Sequence, residues 1–354
     1  MKILHVFNVG DGLCVSIKTF SGKTFQIDWG SRQGGKKAFF KSYEFYPFYN
    51  PDTFVLSHFH FDHYNALTFA SLSCCPYSFP FEIREVYFPR IPDFKDKDEF
   101  MKCLIAMNIF LFGNESGVMG YDFLMAISRM NKGRKFDKKP LSKGDKIEFC
   151  DLDFEVLWPP RFLSEEDEIP KIVKKAIDSF HKATEKHDDL KKIYNLVNEE
   201  GIFKRYYEEG EFEEPKEWKP QIIERKELPD DVKKANENLR KAANHLSLAF
   251  FETRNQVLFL GDLENKEIKQ VVDFLKNKNN KKLFYIFITP HHGTHWDNSL
   301  GNIQAFYSIL SCGSELFNNM KQKEFEQISN FTLSTYQKDD ITIPFDCFYS
   351  YRCL

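Results

Sequence analysis

Of the ten histidines in this 354-residue chain, three fall between residues 58 and 63 and three between 291 and 295. Each group follows a short apolar run of the kind that forms a buried strand. Thr53 to Leu56 leads into Ser57-His58-Phe59-His60-Phe61-Asp62-His63, and Phe284 to Thr289 leads into Pro290-His291-His292-Gly293-Thr294-His295. A further apolar run, Val257 to Leu260, ends in Gly261-Asp262-Leu263-Glu264. The fold must therefore deliver ligand-type side chains at the C-terminal ends of several strands. His58 and His60 share one side of an extended backbone, because side chains at i and i+2 point the same way. Asp62 and His63 lie just beyond, where the chain turns into a helix, and can serve a second ion. Asp262, after a glycine that permits close approach, is the natural bridging carboxylate, and one of His291 or His292 completes the second site. Such a donor set suits two divalent ions about 3.5–4 Å apart, the clamp used to hydrolyse acyl or phosphoryl bonds. With only nitrogen and oxygen donors, zinc and manganese fit equally.

Elsewhere the chain reads as alternating strands and helices. Ile3 to Phe7, Leu13 to Ile17 and Thr24 to Asp28 predict a strand meander. A helix over Tyr64 to Leu72, a strand over Glu85 to Phe88, and a pair of helices across 97–131 with a break at Gly113-Asn114 follow. Lys146 to Phe149 and Phe154 to Leu157 predict a hairpin. Between Arg161 and Lys241 the composition shifts to Lys, Glu and Asp, with Ile169, Val173, Ile177 and Phe180 at helical spacing and Pro215, Pro220 and Pro229 as breaks. This is a charged helical insertion, with a solvated outer face or a surface for substrate or a protein partner. Strands then return at Leu246 to Glu252, Val257 to Leu260 and Phe284 to Thr289, with helices over 265–277, near 301–308 and near 320–329, and last strands from Phe331 to Thr335 and Asp340 to Tyr349. Residues 1–160 and 242–354 thus form two halves of one layered α/β domain around an insertion at 161–241.

Composition narrows the function classes. A hydrophobic fraction of 42% with 38 Phe excludes a disordered chain. There is no apolar run of about 18 residues and no basic-then-apolar leader, which argues against a membrane span or signal peptide. With 49 basic against 52 acidic residues the chain has no overall attraction for polyanions, so nucleic-acid contact needs a local basic patch. Eight cysteines without a C-x-x-C pair read as reduced thiols of a cytoplasmic protein.

In its motifs the chain resembles the metallo-β-lactamase superfamily, and within it the soluble hydrolase domain of the ComEC competence group and its free-standing relatives. The resemblance is carried by Phe7-Asn8-Val9-Gly10-Asp11-Gly12, Ile27-Asp28-Trp29-Gly30, His58 to His63, Asn244-His245-Leu246-Ser247, Leu260 to Glu264 and Pro290 to Thr294. It implies a four-layer αββα sandwich with a dinuclear zinc or manganese site. Residue by residue it assigns His58 and His60 to the first metal, Asp62 and His63 to the second, and Asp262 to the bridge. It favours His292 as the last ligand and leaves His291 beside it, as ligand or substrate contact. Where most members place a third histidine for the first metal this chain has Asn244, so Asn244, neighbouring His245 or water completes that site. Asp11 and Leu13 also depart from the family's early motif. The implied activity is hydrolysis of phosphodiester bonds by a metal-activated hydroxide, foremost as a nuclease on DNA or RNA in DNA processing or phage defence. Asp62 would orient the nucleophile, and His245 or His295 would handle the proton of the leaving group. Asn244, His291, Thr294 and Trp296 would contact substrate. The alternatives are a small-molecule phosphodiesterase, acting on a cyclic nucleotide or phosphocholine ester, and a non-catalytic metal-binding scaffold.

Overall fold

A computed structural model of the chain describes residues 1–43, 45, 50–72, 81–116, 118–119, 122–213, 221–222, 227–279 and 283–345. The chain opens with the expected meander, β1 Ile3–Val6, β2 Val15–Lys18 and β3 Thr24–Ile27, followed by α1 Gly35–Tyr43, β4 Thr53–Val55, α2 Asn65–Ala70 and β5 Glu85–Pro89. Next come α3 Lys97–Ser116, β6 Val118–Met119, α4 Phe123–Met130, β7 Phe136–Leu141, β8 Lys146–Phe149 and β9 Leu152–Trp158. Contrary to expectation, α3 does not break at Gly113-Asn114. A glycine within a helix costs only about 1 kcal/mol, and Gly113 lies on the buried side where packing offsets it. The insertion contains α5 Glu168–Thr184, α6 Asp188–Glu199, β10 Gly210–Phe212, β11 Gln221–Ile222 and α7 Asp230–Asn244. The remainder is β12 Ala249–Glu252, β13 Val257–Phe259, α8 Asn265–Asn279, β14 Leu283–Ile288, β15 Gln304–Leu310, α9 Ser314–Phe317, α10 Gln322–Glu326, β16 Ser329–Ser334, α11 Thr335–Lys338 and β17 Ile341–Pro344. The helix expected near 301–308 is instead β15, paired in parallel between β14 and β16. Pro215, Pro220, Cys74, Cys75, Cys347, Cys353 and the expected strand residues beyond 345 lie outside the described residues.

Two mixed sheets result, ordered β10-β7-β5-β4-β3-β2-β1-β17 and β16-β15-β14-β13-β12-β9-β8. Their inward residues form one apolar layer: Val6, Ile17, Phe25 and Ile343 from the first sheet meet Phe154, Phe250, Phe259 and Ile288 from the second. Alternation then sends Phe54, Val86 and Phe88 outward beneath α3 and α4, and Phe251, Leu258 and Phe287 outward beneath α8 and α10. The chain is thus a layered α/β sandwich. Its two sheets do not coincide with the two halves of the sequence, since β8 and β9 join the second sheet and β17 returns to β1.

The insertion's charged outer face is solvated, but its inner face is not. Val173, Phe180, Leu190, Ile193, Val232 and Leu239 belong to the same buried cluster as Phe100, Leu104 and Met107 of α3. At the seam, Glu99 of α3 accepts hydrogen bonds from Tyr194 Oη at 2.5 Å and from His181 Nε2 at 2.8 Å. The cysteines Cys14, Cys103, Cys150 and Cys312 are free thiols. Among the described residues no helix is long and apolar enough to cross a membrane.

The functional geometry follows from strand polarity. β3, β4, β5 and β7 run parallel, as do β13, β14, β15 and β16. The loops after β3, β4, β13, β14 and β15 gather at one edge of the sandwich, where the carboxyl ends of parallel strands leave a crevice. Leu248 N donates to Ser57 O at 2.6 Å and ties the two sheets together at this edge.

Candidate metal centre

Asp262, just past β13, stands at the middle of the cluster. Its Oδ2 lies 3.7 Å from His58 Nε2, 3.6 Å from His63 Nε2, 3.7 Å from His291 Nε2 and 3.5 Å from His292 Nε2. All but His291 are buried. His58, His60, His63 and Asp262 each offer a ligand atom within 4.8 Å of the others, and this group could hold a metal ion.

The opposite ring nitrogens show how these imidazoles are set. His63 Nδ1 donates to Asp28 Oδ2 at 2.7 Å, His292 Nδ1 to Ser311 O at 3.0 Å and His60 Nε2 to Arg240 O at 2.6 Å. Ser57 Oγ donates to Asp28 Oδ2 at 2.5 Å, so it accepts from His58 Nδ1 at 2.9 Å. A neutral imidazole has one N–H. In its neutral form each ring therefore turns its other nitrogen, as a lone pair, toward the cluster, the arrangement by which outer partners orient metal-binding histidines. Two lone pairs face each other at 2.7 Å between His58 Nε2 and His60 Nδ1. His63 Nε2 is buried with no hydrogen-bond partner. Repulsion and orphaned nitrogens of this kind are relieved by a cation, so the donors fit a metal ion.

Electrostatics agree. Burial disfavours charge on His58, and with His63 and His60 beside it the ring's pKa lies well below the ordinary histidine value. Burial and the Arg240 guanidinium do the same for His60. Burial also works against ionised Asp262, but the surrounding imidazoles outweigh it and hold the carboxyl well below the usual range. Burial opposes charge on His63 too, yet Asp262 and Asp28 lift its pKa to about 10. Without a cation His63 thus carries a second proton, on Nε2 facing Asp262, and that proton is the one a cation displaces on binding.

Asp62 is shared with two arginines. Its Oδ2 is held by Arg240 Nη2 at 2.9 Å, with Arg32 Nε at 3.8 Å, so Oδ1 is the oxygen left for a cation. Asn244 gives its Nδ2 to Glu264 Oε1 at 3.2 Å, and its buried Oδ1 has no partner. His245 is turned to Glu267 Oε2 through Nδ1 at 2.9 Å and is not among the groups gathered at Asp262. His295 stacks edge-on against His291 and, with Glu264, forms a second, half-exposed group that could hold a metal ion. Thr294 donates to His291 O, while Trp296 packs against Phe325, and neither lines the clefts beside the metal cluster.

Those clefts meet over the site. One of about 680 Å³ is lined by Ser31, Arg32, Asp62, Asn65, Glu115 and Arg240, the other of about 530 Å³ by Arg32, His60, Lys233, Arg240, Lys241 and His291. Sequence reasoning missed Arg32, Arg240 and Ser311 as contributors. Asp28 carries a signal, since it follows a strand end as Asp262 does, though in the sequence it stands only as part of the Ile27-Asp28-Trp29-Gly30 motif. Asp11, the departure in the early motif, caps the turn after β15: Oδ1 accepts from Gly313 N at 2.7 Å and Leu316 N at 3.1 Å. That turn holds the Ser311 carbonyl on which His292 depends. No family model matches the chain, and no curated protein is similar to it.

Proposed function

We propose that this chain is a metal-dependent phosphodiesterase of the metallo-β-lactamase fold, and that its substrate is a nucleic acid. The observation that carries the reading is the set of four imidazole nitrogens within 3.5–3.7 Å of one Asp262 oxygen, drawn from the loops after β4, β13 and β14 and oriented from behind. Asp262 would bridge two divalent ions, His58 and His60 would belong to one, and His63, His292 and Asp62 to the other. When bound, such ions supply the Lewis-acid charge that activates water and polarises a phosphoryl group.

The chain's own residues do the rest. Arg240 and Arg32 reach the site from opposite elements and present guanidinium forks, which suit phosphate oxygens. Lys241 joins Arg32 and Arg240 along the second cleft, where Glu237 and Glu264 also lie and Lys233 is ion-paired to Glu227 and Asp230; the two arginines and Lys241 supply the local positive charge a near-neutral chain needs to hold a polyanion. Two clefts that share Arg32, Leu228, Asn236 and Arg240 form the arms of one trough, which admits a strand passing across the site. His295 has both nitrogens engaged, with Leu263 O and His291, so it orients rather than donates a proton.

The test is cleavage of labelled single- and double-stranded DNA and RNA with added manganese or zinc. Wild type should cut at least one polymer and Asp262→Ala none. Cleavage of a small diester but of no polymer would move the substrate to a small molecule, and no cleavage of either would count against the enzyme.

A further inference from the structure

We infer that His291 supplies the third imidazole of the first metal position, in place of the absent histidine at Asn244, and that His295 is the residue that fixes its tautomer. The inference rests on the dinuclear reading above and goes beyond it, because the resemblance leaves that position to Asn244, His245 or water.

The hydrogen-bond polarity of the pair is determined from its outer end. Leu263 O can only accept, so His295 Nδ1, 3.0 Å away, carries the hydrogen, and His295 Nε2 is an acceptor. His291 Nδ1 lies 2.7 Å from His295 Nε2 and 3.1 Å from His295 Nδ1, and in the neutral pair it donates to Nε2. His291 Nε2 is then a bare lone pair, and it faces Asp262 Oδ2 at 3.7 Å. This is the same device that sets His58, His60, His63 and His292, with a histidine in place of a carbonyl or carboxylate as the outer partner.

Position assigns the ring to the first ion rather than the second. His291 and His60 line the same cleft, whereas Asp62 lines the other. His292 lies beside His63, with ring centroids 5.3 Å apart, while the rings of His291 and His292 are 6.0 Å apart. The backbone makes this split possible. His291 and His292 take φ of 46° and 59°, consecutive left-handed residues of a kind that non-glycine side chains seldom adopt. The resulting tight turn brings two neighbouring rings onto one carboxylate oxygen from different sides. The competing donors bond elsewhere through one atom each, Asn244 Nδ2 to Glu264 and His245 Nδ1 to Glu267; their buried Oδ1 and Nε2 have no partner, but unlike His291 neither is paired with Asp262. His58, His60 and His291 with the Asp262 bridge then complete the four-donor set characteristic of N/O-ligated zinc.

The test is titration of metal-free protein with cobalt(II), read by visible absorbance and by bound metal per chain after gel filtration. Wild type should take up two ions per chain. His291→Ala should keep one and lose tight binding of the other, by more than the roughly 10–100-fold that removal of an outer partner costs. His295→Ala should weaken that same ion by about 10–100-fold. Asn244→Ala should still bind two. Circular dichroism and urea midpoints of the metal-free variants establish that each is folded. Two tight ions in folded His291→Ala, or loss of one in Asn244→Ala, would overturn the assignment while leaving the dinuclear reading intact. Fewer than two ions in wild type would instead overturn that reading, and the assignment with it.

Discussion

Replacing Asp28 by Asn exchanges one oxygen for NH2 and should disarm two histidines it does not itself replace. Asp28 is fully buried, with Oδ1 accepting from Ser57 N at 2.7 Å and Oδ2 from both Ser57 Oγ and His63 Nδ1. The amide can keep the first bond through its own oxygen. Its nitrogen then meets two groups that formerly donated, and both must reverse. His63 reverses by giving up its Nδ1 hydrogen and holding its one remaining hydrogen on Nε2, the atom 3.6 Å from Asp262. Ser57 reverses by accepting from the amide and donating to His58 Nδ1, which moves the His58 hydrogen to Nε2 as well. Loss of an outer partner costs about 10–100-fold in metal affinity. With two ligands turned from lone pairs into donors, about 100-fold is expected, or about 2.8 kcal/mol at 1.4 kcal/mol per decade. The metal-free protein should lose a further about 1.5–3 kcal/mol of stability, the worth of a hydrogen bond to a charged group. Competition for zinc against a chromophoric chelator reads the first quantity, and urea unfolding in EDTA the second. A chelator curve that overlays wild type in the folded variant would refute the tautomer argument.

Other substitutions probe separate parts of the structure. Asp262→Ala should abolish uptake of both ions, measured as metal per chain, while leaving the circular dichroism of the fold in place. Arg240→Met should weaken binding of a single-stranded oligonucleotide in EDTA and reduce its log–log salt slope by about 0.7, the value for one lost contact to a single-stranded phosphate; an unchanged slope in fluorescence anisotropy would remove the phosphate role. Phe180→Ala should cost about 3–5 kcal/mol in urea unfolding, because the insertion shares the main core, whereas a detached insertion would leave the transition of the rest of the chain unmoved. Gly30→Ala would drive a Cβ into the Asp62 carbonyl and should destabilise the protein by about 1–3 kcal/mol, seen as a lower urea midpoint.

The ligand loops were legible because strand-end histidines and aspartates stand out against apolar runs, and the strands that carry them lie where the runs placed them. What surrounds them was not. Arg240 sits on a charged amphipathic helix whose spacing announced a buried face but not that its carbonyl would receive His60. Ser311 contributes only a backbone oxygen, which no side chain advertises. β7 was missed because Lys138, Lys139 and Pro140 mask its alternation; Lys138 is buried, and its ammonium bonds to the Glu208 carbonyl. The stretch Gln304 to Leu310 fits helix and strand patterns alike, and only its pairing with β14 and β16 decides between them.

One helix, α7, carries a consequence for control of the site. Its last turns hold His60 through a carbonyl and Asp62 through a guanidinium, while its exposed side belongs to the insertion's outer surface. A molecule that binds that outer surface more tightly in one position of α7 than in another changes the cation affinity by a fixed factor, and the cation changes that molecule's affinity by the same factor. Where the cluster holds a cation, the insertion would act as a lever on it, and the metal content of the protein would gauge whatever pulls on α7.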